Sequence, residues 1–122
     1  MAETTEITFT AAELVKLMAV VNNWPCRNGG EVRMIQRLAP VVDLSAADKE
    51  AIGWREFERD GRTMYQCNSD ATVLRAVGAN ERRVLLAMVQ APPAEAAWVR
   101  ADFGLLNSLL AKLGGEVIEE EG

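Results

Sequence analysis

The sequence predicts a mostly helical α+β fold in which two helical hairpins flank a β-hairpin. Three observations carry this. Apolar residues recur at three-and-four spacing in several separate stretches, the period of a helix that buries one stripe. An Asp60-Gly61 pair sits between two short runs of strand-forming residues, the strongest two-residue hairpin signal. A pattern also recurs along the chain: a shift of 68 places Leu17, Met18, Val20 and Val21 on Leu85, Leu86, Met88 and Val89. A shift of 71 places Val32, Met34, Ile35 and Leu38 on Phe103, Leu105, Leu106 and Leu109. The two copies, residues 7–39 and 72–113, each read as a strand-like lead, a helix, a loop and a second helix. Any two amphipathic helices can be aligned in this way, so coincidence is the competing explanation.

Polar residues 1–5 are expected to be frayed, and Ile7 and Phe9 alternate with polar neighbours as a strand does. Thr10-Ala11-Ala12-Glu13 is a capping box, in which the Thr hydroxyl accepts from the Glu13 amide while the carboxylate reaches back. Leu14, Leu17, Met18 and Val21 form the stripe of the first helix. Asn22-Asn23-Trp24-Pro25 ends it, because proline disfavours helical angles at Trp24. The loop runs through Asn28, Gly29 and Gly30. The second helix is expected to start near Glu31, whose charge suits a helix N-terminus, and to close at Pro40. Ser45-Ala46-Ala47-Asp48 marks a short third helix that ends at Gly53.

The Asp60-Gly61 turn organises residues 54–67 into a hairpin. It pairs Phe57 with Met64 on one face, and Glu56 with Tyr65 and Trp54 with Cys67 on the other. Asn68-Ser69-Asp70 is a turn. Residues 72–77 fit either a strand or a helical turn. Ala79-Asn80 is expected to cap a helix from Glu81 to about Gln90, ended by Pro92-Pro93. A last helix from about Ala101 to Leu113 stops at Gly114-Gly115. Val117 and Ile118 could add a short edge strand.

At 122 residues the chain builds one core and not two. Its 49% apolar and 25% charged residues are ordinary for a globular domain. The net charge of −5 resides in the ends. Glu3, Glu6, Glu13, Glu116, Glu119, Glu120 and Glu121 outweigh it and leave residues 14–112 slightly basic. No stretch approaches the ~20 apolar residues that span a bilayer. Met1-Ala2-Glu3 lacks the positive start of a secretory signal. A cytoplasmic location is the expectation, with Cys26 and Cys67 as plain thiols.

The chain has no histidine, the side chain that most often serves as base and metal ligand near neutral pH. Ser-His-Asp and Cys-His sites are thereby excluded within the chain. Two separated cysteines are a poor zinc set, and no Gly-rich phosphate loop follows a strand. Glu56, Glu58 and Asp60 alternate on the hairpin as solvated charges would. No catalytic, metal or cofactor residue is therefore assigned, no cofactor is expected, and the chain is not read as an enzyme.

The remaining candidates are partner-binding residues on the surface. Trp24 and Arg27 belong to the first inter-helix loop, and Trp98 holds a similar place in the second copy. Tryptophan is enriched in interface hot spots, although it also plugs the ends of helical hairpins. Arg33 and Arg37 lie one turn apart opposite the apolar stripe of the second helix. Arg55, Arg59 and Arg62 share one hairpin face, the last two flanking the tip. The competing explanation for each arginine is a solvated position or a local ion pair with Glu56, Glu58 or Asp60, worth little.

The run Ile7-Thr8-Phe9-Thr10-Ala11-Ala12-Glu13-Leu14, the restart Gly29-Gly30-Glu31-Val32 and the segment Asn80-Glu81-Arg82-Arg83-Val84-Leu85-Leu86 resemble small accessory proteins of tailed phages and prophages. The resemblance implies a non-enzymatic protein that binds one host or virion protein in the host cytoplasm, either inhibiting it or assisting assembly. It carries over no site residue. The expected function is stoichiometric protein binding as an inhibitor or adaptor. One alternative is a self-associating structural or assembly component, a homo-oligomer. Another is a winged-helix-like DNA-binding regulator, since three short helices before a β-hairpin follow that order. The third helix, with Asp48, Lys49 and Glu50, lacks the basic footprint expected of a nucleic-acid reader.

Overall fold

The first strand, β1 (Thr4–Thr10), buries Ile7 and Phe9 and exposes Glu6 and Thr8, as its alternation requires. The computed structural model describes residues 4–115. β1 pairs antiparallel with β4 (Thr72–Gly78), from Thr4 opposite Gly78 to Thr10 opposite Thr72. The ladder therefore includes Thr4 and Thr5, which were expected to be frayed. Residues 72–77, open between two readings from sequence, form a strand. Their alternation was obscured because the inward positions are Val73, Arg75 and Val77, with a charge at the centre.

The capping box forms as expected at the start of α1 (Ala11–Asn22): Thr10 Oγ1 accepts from the Glu13 amide, and Glu13 Oε1 accepts from the Thr10 amide at 2.7 Å. Leu14, Leu17, Val20 and Val21 are buried, and Met18 packs at the edge of the core. The helix α2 (Gly29–Val42) departs from expectation at both ends. Asn28 is its N-cap, accepting from the Glu31 amide at 3.0 Å, so Gly29 and Gly30 belong to the first turn. Pro40 lies inside the helix. Its ring removes one main-chain donor, but Leu38, Val41 and Val42 are buried, and that burial favours continuing the helix to Val42.

The short α3 (Ala46–Ala51) carries a reciprocal cap between Ser45 and Asp48, and Gly53 follows with a φ of 70°. Strands β2 (Arg55–Arg59) and β3 (Arg62–Gln66) then form the β-hairpin in the expected register, although Trp54 and Cys67 lie just outside its strands. Asp60 and Gly61 both have positive φ, as a type I′ turn demands. The helix α4 (Ala79–Gln90) begins two residues earlier than expected, with Gly78 as N-cap and Asn80 in the first turn. A 3₁₀ turn at Arg100–Asp102 leads into α5 (Phe103–Leu113), which ends at Gly114 in the left-handed region. Val117 and Ile118, like the acidic residues 116–121 and residues 1–3, lie outside the described residues.

The architecture is a mostly helical α+β fold with two two-stranded sheets. Element bounds recur with fixed offsets: β1 and β4 differ by 68 residues at both ends, as do α1 and α4. The α2 range and the combined range of the Arg100–Asp102 turn and α5 differ by 71. The central pair of the ladder, Ile7 opposite Arg75, is itself 68 residues apart, so a local two-fold passes through it. Helix α1 packs on α2 and α4 on α5, with α1 against α4 at the centre. Among the described residues, no helix is long and apolar enough to cross a membrane.

Two charged residues fasten this frame. Arg75 donates to the Val41 carbonyl at 2.8 Å, the Asp43 carbonyl at 3.0 Å and Asp48 Oδ2 at 2.6 Å. It thereby ties β4 to the end of α2 and to α3. Glu13 is 1% exposed. Burial pushes its carboxyl up, but hydrogen bonds from Lys112, the Thr10 amide and Ser108 together outweigh this and hold it below the ordinary range.

Hydrogen bonding to Arg75 holds the Asp48 carboxyl at about 2, below its ordinary 3.8. A lowered folded-state value means that the bridge contributes fully above 3.8 and is lost as pH falls towards about 2. Arg75→Met is expected to lower stability by about 2–3 kcal/mol near neutral pH. Urea unfolding at stepped pH should show the gap to wild type narrowing between pH 4 and 2.

Candidate functional site

The hairpin of β2 and β3 stands apart from the core. All ten of its strand residues are exposed. Its root is fixed by the Trp54 amide donating to the Lys49 carbonyl and the Asn68 amide donating to the Ile52 carbonyl, each at 2.8 Å. Ile52 is buried, and Trp54 and Cys67 pack against the core. Beyond this root the two strands form an arm.

Strand alternation sorts the arm into two chemically different faces. One carries Arg55 opposite Gln66, Phe57 opposite Met64, and Arg59 opposite Arg62 at the tip. The other carries Glu56 opposite Tyr65 and Glu58 opposite Thr63. On this acidic face the Trp54 and Tyr65 rings stack with centroids 4.4 Å apart and planes within 5°. Trp54 Nε1 donates to Glu56 at 3.3 Å, and Lys49 Nζ lies 5.4 Å from the Trp54 ring centroid.

The cationic face has no such internal partners. Among the described residues, Arg55, Arg59 and Arg62 make no ion pair. The local pairing weighed from sequence fails because Glu56 and Glu58 project from the opposite side of the same strand. Between the arginines, Phe57 and Met64 are 41% and 44% exposed. Arg59 directly opposite Arg62 is a like-charge pair, which costs the hairpin stability. The face thus gathers three cations, unpaired among the described residues, around two exposed apolar side chains on an arm whose strand residues are all exposed.

The other candidates lie elsewhere. Arg27 is exposed ahead of α2, where its amide donates to Glu31 at 3.2 Å. Arg33 and Arg37 are exposed along a groove between α2 and α4, with Met34, Leu38, Glu81 and Val84. Trp24 is half-buried and packs against the core. Trp98 is also half-buried. Its Nε1 donates to the Val89 carbonyl at 2.8 Å, and Lys16 Nζ lies 4.6 Å from its ring centroid. Both tryptophans therefore contribute to packing, and the arginines fall into two groups, Arg33 with Arg37 along the α2–α4 groove and Arg55 with Arg59 and Arg62 on the arm.

Phe57 and Met64 were legible as a pair from the Asp-Gly turn, but their exposure was not. A strand face is apolar for the core or for solvent according to where the hairpin points, and tertiary structure decides that. Cys26 is exposed and Cys67 half-buried, both as free thiols. Among the described residues, no three Cys, Asp or Glu side chains cluster as a metal site. No protein-family model, curated protein or solved structure matches the chain.

Phe57→Ser combined with Met64→Ser is expected to cost about 1 kcal/mol, since the two pair across an exposed hairpin and lie outside the core. Phe9→Ala, at a fully buried position, should cost about 4 kcal/mol. Urea unfolding of the two variants beside wild type separates surface from core.

Proposed function

We propose that this chain is a non-enzymatic protein-binding module, an inhibitor or adaptor that occludes a partner surface with its hairpin arm. The observation that carries this reading is the cationic, apolar-centred face of Arg55, Phe57, Arg59, Arg62 and Met64. Its charges are unpaired within the described chain. A partner patch with carboxylates around an apolar residue complements it in sign and in hydropathy. Phe57 and the arginines are residue types enriched in protein interfaces. Two main-chain hydrogen bonds and the packing of Trp54 and Cys67 fix the root of the arm, which lowers the ordering cost of binding. The same reading places the protein in the cytoplasm, the host's cytoplasm if a phage encodes it.

A nucleic-acid partner would also meet arginines, but the rest of a winged-helix reader lacks support. Helix α3 is only six residues long, its Asp48 is bound to Arg75, and Lys49 lies over Trp54.

The test is capture from nuclease-treated bacterial lysate on immobilised wild type, on Arg55→Glu/Arg59→Glu/Arg62→Glu, and on Arg33→Glu/Arg37→Glu. One stoichiometric protein should be retained by wild type and by the α2 variant. The arm variant should bind it at least about tenfold more weakly. Equal retention on the arm variant overturns the assignment of the arm. Retention seen only in a parallel lysate left without nuclease overturns the protein-binding reading in favour of nucleic acid.

A further inference from the structure

We infer that the groove between α2 and α4 binds a free α-amino acid with an apolar side chain of the size of leucine or methionine. The inference goes beyond the reading of the arm and does not depend on it.

The lining of the groove divides into three chemistries. Leu38 is buried, and Met34 and Val84 pack against the core, so the three form a fixed apolar floor. Arg33 and Arg37 stand one turn apart on α2, both exposed. Glu81, in the first turn of α4, supplies a carboxylate. Among the described residues neither arginine makes an ion pair, and neither does Glu81. The Glu81 carboxylate lies against Gly78 at the start of α4, where a helix N-terminus favours negative charge. It therefore leaves the guanidiniums free, and the groove offers charges of both signs beside an apolar floor. An α-amino acid carries the complement of all three. Its carboxylate suits the two guanidiniums, its ammonium suits Glu81, and its side chain suits Met34, Leu38 and Val84. The size agrees. The cavity is about 270 Å3. At about 30 Å3 for each non-hydrogen atom, the share of one water molecule in the liquid, it holds about nine such atoms, as leucine and methionine each have.

The local two-fold through Ile7 and Arg75 relates this groove to the seam between α5 and α1. There the positions of Met34, Leu38 and Glu81 are taken by Leu105, Leu109 and Glu13. In that seam the carboxylate is 1% exposed and is met by Ser108 and Lys112 of α5. In the groove Arg37 and Val41 stand for Ser108 and Lys112, and Arg33 stands for Gly104. The apolar pair is kept. The carboxylate–lysine contact that closes the seam is missing, and two guanidiniums are added. The closed seam packs without cations at the equivalent places, so packing does not account for Arg33 and Arg37.

Titration of the isotope-labelled full chain, followed by amide chemical shifts, tests this. L-Leucine should bind with a Kd of about 1 mM, with the largest shifts in α2 and α4. N-acetyl-leucine lacks the ammonium, leucinamide the carboxylate and glycine the side chain. Each should bind at least about tenfold more weakly than leucine. Arg33→Gln/Arg37→Gln should abolish leucine binding, and Glu81→Gln should remove the preference for leucine over N-acetyl-leucine. Amide dispersion reports whether each variant is folded. Arg55→Glu/Arg59→Glu/Arg62→Glu should bind leucine as wild type does, so a failure of the groove and a failure of the arm are told apart. No saturable shift by about 20 mM leucine, an analogue that binds as tightly as leucine, or undiminished binding to the Arg33→Gln/Arg37→Gln variant would overturn the inference.

Discussion

The antiparallel ladder between β1 and β4 joins residues 68 positions apart and sets the position of everything packed on it. Each strand runs directly into a helix, β1 into α1 and β4 into α4. Once the strands pair around Ile7 and Arg75, the two helices emerge in related directions and meet. Ile7, Phe9, Val73 and Val77 project from the ladder into the core, where Leu14, Leu17, Leu85 and Met88 cover them. A two-stranded sheet is marginal by itself. Here one face is buried against helices, and that burial stabilises both layers.

The two halves match in element order but differ in the chemistry of equivalent positions. Glu13 and Glu81 are 68 residues apart, each in the first turn of a helix that follows a strand. Glu13 is buried because Ser108 and Lys112 of α5 reach it. The positions 71 residues earlier are Arg37 and Val41, and Glu81 instead lines an open groove with Arg33 and Arg37. At the centre of the ladder Ile7 faces Arg75, so one half contributes an apolar side chain and the other a guanidinium. That guanidinium then satisfies carbonyls at the end of α2 that would otherwise lack donors.

The groups that hold the fold together and the exposed cationic face occupy separate parts of the molecule. The core and its two ionic fastenings involve α1 to α5 and the long ladder, while the arm contributes only its root to packing. The arm can therefore carry exposed aromatic and cationic groups, even a like-charge pair at its tip, at little cost to the fold.

Local grammar was legible in the sequence wherever the deciding atoms lie within about four residues of one another. The Thr10 and Ser45 capping boxes, the Asp60-Gly61 turn and its register, and the Gly114 stop all follow from side chains and φ preferences that act on the adjacent turn. Where burial overrode that grammar, the local reading failed. Pro40 sits inside α2 because Val41 and Val42 are drawn into the core, and residues 72–77 pair as a strand because Thr4–Thr10 lies opposite. The grouping of Arg55, Arg59 and Arg62 on one face followed from strand period alone, but their freedom from ion pairs and the exposure of Phe57 and Met64 did not. The contacts of Arg75 with Asp48, 27 residues away, and of Glu13 with Lys112, 99 residues away, carry no sequence signal. The sequence by itself determined the helix caps, the turns and the register of the hairpin, because those depend on neighbours along the chain. Only the tertiary structure decided which charges are buried and satisfied and which face stands free, because burial depends on residues that the fold alone brings together.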